Sequence, residues 1–345
     1  MPTRRRLLHT LRAIALLGAL PRLPRAARAG DEPEPPEQPA TGPGGANRDY
    51  PGTVESRLGE APTGYWRFEP ADAAGKPVVE PRPLVVFLHG FGAIDTWFYE
   101  GWIEHLVGRG HVVLFPDYQE LSLSRIRPDD YLDNVMVAVA DAIAGSTAIG
   151  RTPIDTTRTA VVGHSVGGVL TAAYAAQAAA AGLPAPLAMM PVQPGGCRGC
   201  GAGPDFAGTP LGDLSTVPAT IRALVVVGEE DQVVNESGAR AIWEGISHVP
   251  VAQRDYVVVR SDRHGRPELV ADHLQPLTNG PLAETDALDW AALWKPFDLL
   301  LGCVFAGESC AIANGGSLQQ RRLGEWSDGV QVATPIYDTA PGLPT

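Results

Sequence analysis

The 345-residue sequence predicts an α/β fold, with a mostly parallel central sheet and helices on both of its faces. Short, continuously apolar runs recur along the chain, and each is followed by a helical stretch or a Gly-rich turn. A strand that is apolar throughout, without alternation, is typical of a sheet covered on both faces. The stretch 48–345 has the length of one large domain with a single core and shows no internal repeat.

The predicted elements alternate in chain order. An antiparallel first strand is expected near 64–68, and further strands are predicted at 84–88, 111–115, 159–162, 187–191, 224–227 and 256–260. Helices are predicted around 97–108, 129–144, 166–181 and 286–304. The region 193–220 is rich in Gly and Pro and has no clear amphipathic helical pattern. We therefore expect little or no lid.

The first 29 residues have the pattern of a signal peptide. Arg4-Arg5-Arg6 precedes an apolar stretch, and Ala27-Arg28-Ala29 offers a small-x-small cleavage site. The start also resembles a twin-arginine export signal. A membrane anchor is the alternative, but the apolar run is too short and interrupted to span a bilayer, so we expect an exported protein without stable membrane insertion. Residues 30–47, rich in Pro, Glu and Gly, are predicted to be a disordered leader.

Charge excludes one class of partner. The whole chain carries 27 basic and 39 acidic residues, a net charge of −12. Removing the predicted signal peptide, residues 1–29, with its seven arginines and no acids, leaves 20 basic against 39 acidic residues, a net charge of about −19. A nucleic-acid partner requires a basic footprint, so we expect none. We expect a monomer.

Four cysteines form two local pairs, Cys197 with Cys200 and Cys303 with Cys310. In an oxidising compartment two short-range disulfides are the plain interpretation, although sequence alone does not establish the pairing. A four-thiolate zinc site is the alternative. The pairs lie about a hundred residues apart and only one has zinc-like spacing, so we expect no metal.

The pentapeptide Gly163-His164-Ser165-Val166-Gly167 follows a short apolar strand and precedes a long Ala-rich helix. Strand, Gly-x-Ser-x-Gly and helix together are the pattern of a nucleophile elbow, in which small residues allow a sharp reversal that exposes the serine hydroxyl. The pattern predicts Ser165 as a catalytic nucleophile.

A serine nucleophile needs a base, and the base needs an acid to orient it, in the chain order Ser, acid, His. Asp231 follows the predicted strand 224–227 and is our choice of acid, with Glu230 as the alternative. His264 follows the strand 256–260 and is our choice of base. His273, placed in a predicted helix, is the alternative and is interpreted as structural.

Two backbone N–H groups are needed to stabilise the oxyanion. Val166 in the elbow supplies one, and the loop His89-Gly90-Phe91-Gly92, which follows the strand 84–88, places Phe91 as the second donor. Trp97 lies just after this loop. It is a candidate for the substrate pocket, and packing on the sheet is the equal alternative.

From about Val54 to Val332 the chain resembles secreted α/β-hydrolases of the dienelactone-hydrolase, chlorophyllase and polyester-hydrolase (cutinase)-like branch. The resemblance rests on the loop 89–92, the stretch 163–168, the acidic turn 228–231 and the post-strand histidine. It implies the α/β-hydrolase fold and ester hydrolysis by Ser165, His264 and Asp231, without metal or organic cofactor. Polyester-cleaving members usually place Met after the nucleophile and Trp on the following strand loop; this chain has Val166 and Met190-Pro191-Val192.

We therefore expect an exported, lipase-like serine esterase acting on a small-molecule or polymeric ester. The same residues would serve a serine peptidase or an acyltransferase. A hydrolase fold without catalysis, used as a binding protein, is a further alternative, but such proteins typically lose the serine, base or acid.

Overall fold

A computed structural model of the chain describes residues 32–120, 125–200, 208–281 and 283–338. The predicted signal peptide, residues 1–29, lies outside the described residues.

Nine strands form one sheet, and two further short strands form a separate pair. Their bounds are β1 Gly52–Leu58, β2 Tyr65–Ala71, β3 Arg82–Leu88, β4 Val112–Pro116, β5 Ile154–His164, β6 Ala188–Val192, β7 Arg222–Gly228, β8 Arg254–Val259, β9 Asn279–Gly280, β10 Ala283–Glu284 and β11 Ile336–Asp338. The order in the large sheet is β1-β2-β4-β3-β5-β6-β7-β8-β11. Strands β3 to β8 run parallel, while β1, β2 and β11 pair antiparallel with their neighbours.

The α-helices are α1 Glu100–Gly108, α2 Tyr131–Ala144, α3 Val166–Gln177, α4 Ser237–Gly245, α5 Lys295–Ala306, α6 Cys310–Ala313 and α7 Leu318–Arg321. The helix predicted from 97 begins as a 3-10 turn, Thr96–Tyr99, before α1. The final predicted helix is a π-helix, Leu288–Trp294, that continues as α5.

The parallel strands are apolar throughout because both faces of the sheet are covered. Along β3, Leu84, Val86 and Leu88 pack into one buried cluster with α2, α3 and α4. Val85 and Phe87 point the other way, into a cluster with α1 and α5. Successive side chains of a strand alternate between faces, so a strand buried on both sides has no polar position. This architecture confirms the predicted α/β fold.

The region between β6 and β7 agrees with the prediction of little or no lid. In its described parts, 193–200 and 208–221, the only helix is a 3-10 turn at Leu214–Thr216.

Residues 32–47, the described part of the stretch rich in Pro, Glu and Gly, make defined contacts with the domain. The Gly44 N–H donates to Asp298 Oδ2 at 2.7 Å, and the Pro33 carbonyl accepts from Arg266 N–H at 2.8 Å. Gly44 is buried at φ +72°, and a Cβ there would collide with the Trp290 carbonyl oxygen. These are backbone contacts, which composition does not reveal. The described part of residues 30–47, a stretch predicted to be disordered from its low apolar content, is thus hydrogen-bonded to the domain.

Candidate active site

The turn between β5 and α3 brings Ser165 to the carboxyl end of the parallel strands. Ser165 has φ 57° and ψ −120°, a backbone conformation that non-glycine residues rarely adopt. A Cβ on Gly163 would collide with the Gly167 carbonyl oxygen, and one on Gly167 would collide with the carbonyls of Leu88 and His89. Both glycines are therefore required by close backbone approach, and the pentapeptide forms the sharp reversal expected from its sequence.

Backbone hydrogen bonds from neighbouring loops hold this turn. The Ser165 N–H donates to the Val192 carbonyl at 3.0 Å, and the Ser165 carbonyl accepts from Gly168 N–H at 2.9 Å and Gly195 N–H at 3.1 Å. The serine residue is 8% exposed, so its hydroxyl is close to the surface without being freely solvated. The strained conformation is thus fixed by the strand beside it and by the loop after β6.

His273 is the histidine that contacts Ser165. Its Nε2 lies 3.0 Å from Ser165 Oγ, and its Nδ1 lies 2.8 Å from Asp231 Oδ2. Asp231 is 4% exposed, and its other oxygen accepts from the N–H groups of Val233 at 2.9 Å and Val234 at 3.1 Å. Because the carboxylate accepts at Nδ1, the remaining nitrogen is available to take a proton from the serine. The three side chains occur in the chain order Ser, Asp, His that this type of elbow requires.

The structure does not bring His264, the predicted base, to Ser165 or Asp231. His264 Nε2 lies 2.8 Å from Asp328 Oδ2, and its ring packs edge-on against Trp326 with centroids 5.8 Å apart. Its backbone N–H donates to Asp262 Oδ1 at 2.9 Å. None of these contacts involves Ser165 or Asp231.

A short excursion of the chain explains why the earlier histidine misses the site. Asp262 and Leu269 exchange two backbone hydrogen bonds, at 2.8 and 2.9 Å, so residues 263–268 leave the sheet edge and return to it. His264 lies on this excursion. The chain then reaches Ala271, whose carbonyl accepts from Glu230 N–H at 3.0 Å, and two residues later His273 is beside the acid. His273 lies in this loop and not in the predicted helix.

Glu230, the alternative acid, has a different partner. Its carboxylate accepts from Arg263 Nη2 at 2.6 Å, and this hydrogen bond lowers the pKa of Glu230. The structure therefore places Asp231, and not Glu230, beside His273.

The loop after β3 lies against the elbow. A Cβ on Gly90 would be 3.4 Å from Ser165 Cβ and 3.3 Å from His164 Nδ1. The loop is anchored by Tyr118, whose hydroxyl donates to the His89 carbonyl at 2.6 Å. Burial lowers the pKa of His89 to about 4, so its ring is neutral at pH 7. Phe91, the predicted second oxyanion donor, follows Gly90 directly, and Val166 is the first residue of α3.

Tyr99 joins this loop to the elbow, a role that the sequence does not reveal. Its hydroxyl accepts from Gly90 N–H at 2.9 Å and lies 2.9 Å from His164 Nδ1. His164 is 3% exposed and packs against His273, with ring centroids 4.7 Å apart. Burial, with a smaller contribution from His273, lowers the pKa of His164 well below its ordinary value. A neutral His164 accepts at Nδ1, so the Tyr99 hydroxyl donates to it while accepting from the loop.

Gln193 fixes the backbone before the base. It is fully buried at φ 44°, and its Nε2 donates to the Asp272 carbonyl at 2.7 Å. No motif marks Gln193 or Tyr99 in the sequence. The only signal is that a buried polar side chain requires a partner, which identifies neither position before the fold is known.

Trp97 lies on the 3-10 turn that leads into α1. It is 47% exposed, its ring meets Phe98 edge-on at 5.3 Å, and its carbonyl accepts from Asn279 Nδ2 at 2.9 Å. Nearly half of its surface faces solvent, which does not fit the alternative of a side chain packed into the core.

The cysteines form the two predicted disulfides, Cys197 with Cys200 and Cys303 with Cys310, with Cα atoms 5.6 and 4.6 Å apart. Among the described residues, no group of three or more His, Cys, Asp or Glu side chains is arranged to hold a metal ion. In the same part of the chain, none of the helices has the length and apolar character required to cross a bilayer.

Comparison with known proteins supports the architecture. Residues 83–190 match a family model described as alpha/beta hydrolase fold, and this range contains the 89–92 loop and the elbow. A search of curated protein sequences gave no significant match. The matched range is about a third of the chain, and it supports a hydrolase in general. Together with the mostly parallel sheet covered by helices on both faces, it identifies the fold of this chain as the α/β-hydrolase fold.

Proposed function

We propose that the protein is a serine esterase that hydrolyses carboxylic esters through an acyl-enzyme, with Ser165 as nucleophile, His273 as base and Asp231 as acid. The observation that carries this proposal is the continuous hydrogen-bonded chain from Asp231 Oδ2 through both nitrogens of His273 to Ser165 Oγ, with distances of 2.8 and 3.0 Å. The resemblance to the dienelactone-hydrolase, chlorophyllase and cutinase-like branch supports carboxylic esters as the substrate class.

In the first half-reaction, Ser165 Oγ bonds to the ester carbonyl carbon as its proton passes to His273 Nε2. The resulting oxyanion is stabilised by the backbone N–H groups that we assign to Phe91 and Val166. When the tetrahedral intermediate collapses, the carbon–oxygen bond to the alcohol breaks, and the alcohol leaves with the proton from His273. The acyl group remains on Ser165.

In the second half-reaction, a water molecule gives a proton to His273 Nε2 and attacks the acyl carbon. Collapse of this intermediate breaks the bond to Ser165 Oγ, which regains the proton, and the carboxylic acid is released. Asp231 remains ionised throughout and stabilises the imidazolium that forms twice in the cycle. Two backbone N–H groups on its second oxygen support that ionised state.

The test compares wild type with Ser165→Ala, His273→Ala and His264→Ala on p-nitrophenyl esters from acetate to palmitate. We expect the first two variants to lose about 10³-fold or more in kcat. His264→Ala is the matched control, because it removes a loop histidine nine residues away and should retain a kcat close to wild type. Activity that survives in Ser165→Ala, or that is lost only in His264→Ala, would contradict the assignment.

A second arm separates the reaction classes. The p-nitroanilides of the same acyl groups test for a peptidase, and transfer of the acyl group to added alcohol in place of water tests for an acyltransferase. An esterase should cleave the esters with water as the main acceptor. Cleavage of anilides alone would favour the peptidase, and no reaction of the folded wild type with any substrate would favour the binding protein.

We assign Trp97 to the substrate-binding surface because its ring is 47% exposed on the turn that ends at Tyr99. Trp97→Ala should change the preference among acyl chain lengths and leave the rate of the best short ester nearly unchanged. An unaltered chain-length profile would remove Trp97 from the site.

We also propose that the protein is exported. Two disulfides fit an oxidising compartment, and the arginine-rich, apolar residues 1–29 fit an export signal. The full chain, expressed with its leader, should yield an exported protein whose N-terminal sequence begins at Gly30. Replacing Arg4-Arg5-Arg6 with Lys should block export if the signal is of the twin-arginine type, because that route requires the arginine pair. Retention of the intact chain in the cytoplasm would refute export.

A further inference from the structure

A cleft of about 350 Å³ lies at the amino ends of the parallel strands, at the end of the sheet opposite Ser165. Arg82 begins β3, His111 directly precedes β4, and Arg158 lies in β5 just before Thr159, the partner of Leu84 on β3. Arg158 and Ser165 are separated by seven residues of one strand and turn, about 23 Å at the usual rise per strand residue. We call this the basic cleft; its lining includes Arg82, Arg109, His111 and Arg158, together with Phe305 on α5, whose ring lies against His111 with centroids 5.7 Å apart.

Hydrogen-bond donors in the basic cleft are only partly used. Arg82 donates from Nε to the Gly110 carbonyl at 2.8 Å, and Arg158 donates from Nε to Asp155 Oδ2 at 2.6 Å. Among the described residues, no oxygen accepts from the Nη groups of either arginine. His111 Nδ1 is fully buried and likewise has no partner there. A buried polar atom without a partner is costly and therefore indicates a missing ligand or water.

The acidic side chains near these donors are already engaged or lie at the rim. Asp298 accepts from His105 Nε2 at 2.9 Å and from Gly44 N–H at 2.7 Å, with Arg109 Nε at 3.9 Å. Although burial opposes ionisation, the contact with His105 holds the pKa of Asp298 below its usual range, so the carboxylate stays ionised and offsets part of the charge of Arg109. Glu308 is exposed at the rim. The Arg82 guanidinium lies over the Tyr50 ring, 4.7 Å from its centroid, which fixes its plane but gives its Nη groups no acceptor. The Nη groups of Arg82 and Arg158 remain for a ligand.

The remaining wall is apolar. Phe305 and Ala306 on α5, with Pro83 and Leu301, line the cleft beside the guanidinium groups. Charged donors beside hydrocarbon in one cleft fit a ligand that has an anionic head and an apolar body. The volume is at the lower end of the range of about 300–1,000 Å³ typical of small-molecule sites.

We propose that the basic cleft binds a small organic carboxylate whose head contacts Arg82 and Arg158 and whose hydrocarbon body packs on Phe305. The planar guanidinium fork matches the two oxygens of a carboxylate. A single negative charge suits a cleft in which Asp155, Asp298 and Glu308 stand near three arginines. The proposal concerns binding and does not depend on the esterase reaction.

The test is isothermal titration calorimetry of the full chain with octanoate, octanol and inorganic phosphate. Octanoate should bind to the wild-type protein, and octanol and inorganic phosphate should bind to it much more weakly. Arg158→Gln and Arg82→Gln should each weaken octanoate binding by about tenfold to a hundredfold, the effect of losing a hydrogen bond to a charged group. Arg322→Gln is the matched control, because Arg322 is an exposed arginine paired with Glu325 on another surface.

The outcomes are separable. No heat with octanoate, or binding unchanged in both cleft variants, would overturn the proposal; the latter result would place octanoate elsewhere, such as at Ser165. Equal binding of octanol would show that only the apolar wall matters, and equal binding of phosphate would show an anion site without selection for a hydrocarbon body; either would overturn it as well. Arg158 is partly exposed, so its variant should keep the wild-type Tm and remain informative if Arg82→Gln fails to fold. Esterase assays on the same samples report the proposed function separately.

Discussion

The hydroxyl of Tyr99 is the only side-chain group seen to bond both the loop after β3 and the nucleophile elbow in the described structure. Tyr99→Phe removes that oxygen and keeps the ring, which packs against Phe87 with centroids 5.2 Å apart. The substitution leaves two buried groups without a partner, the Gly90 N–H and His164 Nδ1. The loop that we propose to carry an oxyanion donor then loses its connection to the serine turn.

The size of the effect follows from those two groups. A buried donor or acceptor left without a partner costs about 1–3 kcal/mol. Partial relaxation of the loop should bring the total loss of unfolding free energy to about 2–4 kcal/mol, or a Tm lower by roughly 3–6 °C for a chain of this size. Misplacement of a catalytic donor by about 1 Å can cost around a hundredfold in rate, so kcat should fall by about tenfold to a hundredfold. KM should change little, because no substrate contact is removed.

The assay measures Tm and p-nitrophenyl ester kinetics for Tyr99→Phe and for a matched control, Tyr131→Phe. Tyr131 is also buried, but among the described residues its hydroxyl has no hydrogen-bond partner, so its removal should leave both kcat and Tm close to wild type. A drop in kcat with unchanged affinity for a boronic acid that mimics the oxyanion would indicate a general structural effect. If Tyr99→Phe and Tyr131→Phe have the same Tm and kcat, the reasoning is refuted.

Three further substitutions test other parts of the structure. Gly167→Ala should prevent correct folding or abolish activity, because its methyl group would collide with the Leu88 and His89 carbonyls; soluble, fully active protein would contradict this. Burial raises the pKa of Asp286 to about 6, so the folded state binds its proton more tightly than the unfolded state, and the resulting stability is present below about pH 4 and lost as the pH rises through 6. The free energy of unfolding of Asp286→Asn should therefore rise relative to that of wild type by on the order of 2 kcal/mol between pH 4 and 8, measured by urea unfolding. A difference between the two proteins that does not depend on pH would argue against this reasoning. Replacing Cys303 and Cys310 by Ala opens an eight-residue loop and should lower the unfolding free energy by roughly 2.5 kcal/mol, visible as a lower Tm under non-reducing conditions but not under reducing ones.

The sheet and the serine turn could be predicted because their signals are local. Apolar runs such as 84–88 need only be read as strands, and the turn is recognised from the five residues 163–167, although the carbonyls that Gly167 meets belong to the distant Leu88 and His89. Asp231, our proposed acid, is selected for the same reason, because it lies three residues after the end of β7. These features are recognisable from a few neighbouring residues.

The proposed base, His273, could not be chosen in this way, because its position depends on a tertiary detail. His264 stands closer to the end of β8, as the pattern favours, but the paired backbone of Asp262 and Leu269 turns it away from the sheet. The contacts of residues 32–47 likewise depend on the backbone of Gly44, which meets the Trp290 carbonyl. The role of Tyr99 depends on His164, a partner 65 residues away. Each of these contacts joins segments that are far apart in sequence and carry no shared motif.

The excursion at 263–268 has a further consequence for how the chain tolerates change. Asp262 and Leu269 are bonded to each other, so the segment between them begins and ends at nearly the same place. Its length is therefore uncoupled from the path that carries His273 back to Asp231. The segment itself is tightly packed, because a Cβ on the buried Gly265 would collide with the Pro33 carbonyl and the Trp326 ring, and Arg266 N–H donates to Pro33. A change within residues 263–268 would therefore disturb the attachment of residues 32–47, while the pairing of Asp262 with Leu269 keeps His273 at the same distance from Ser165.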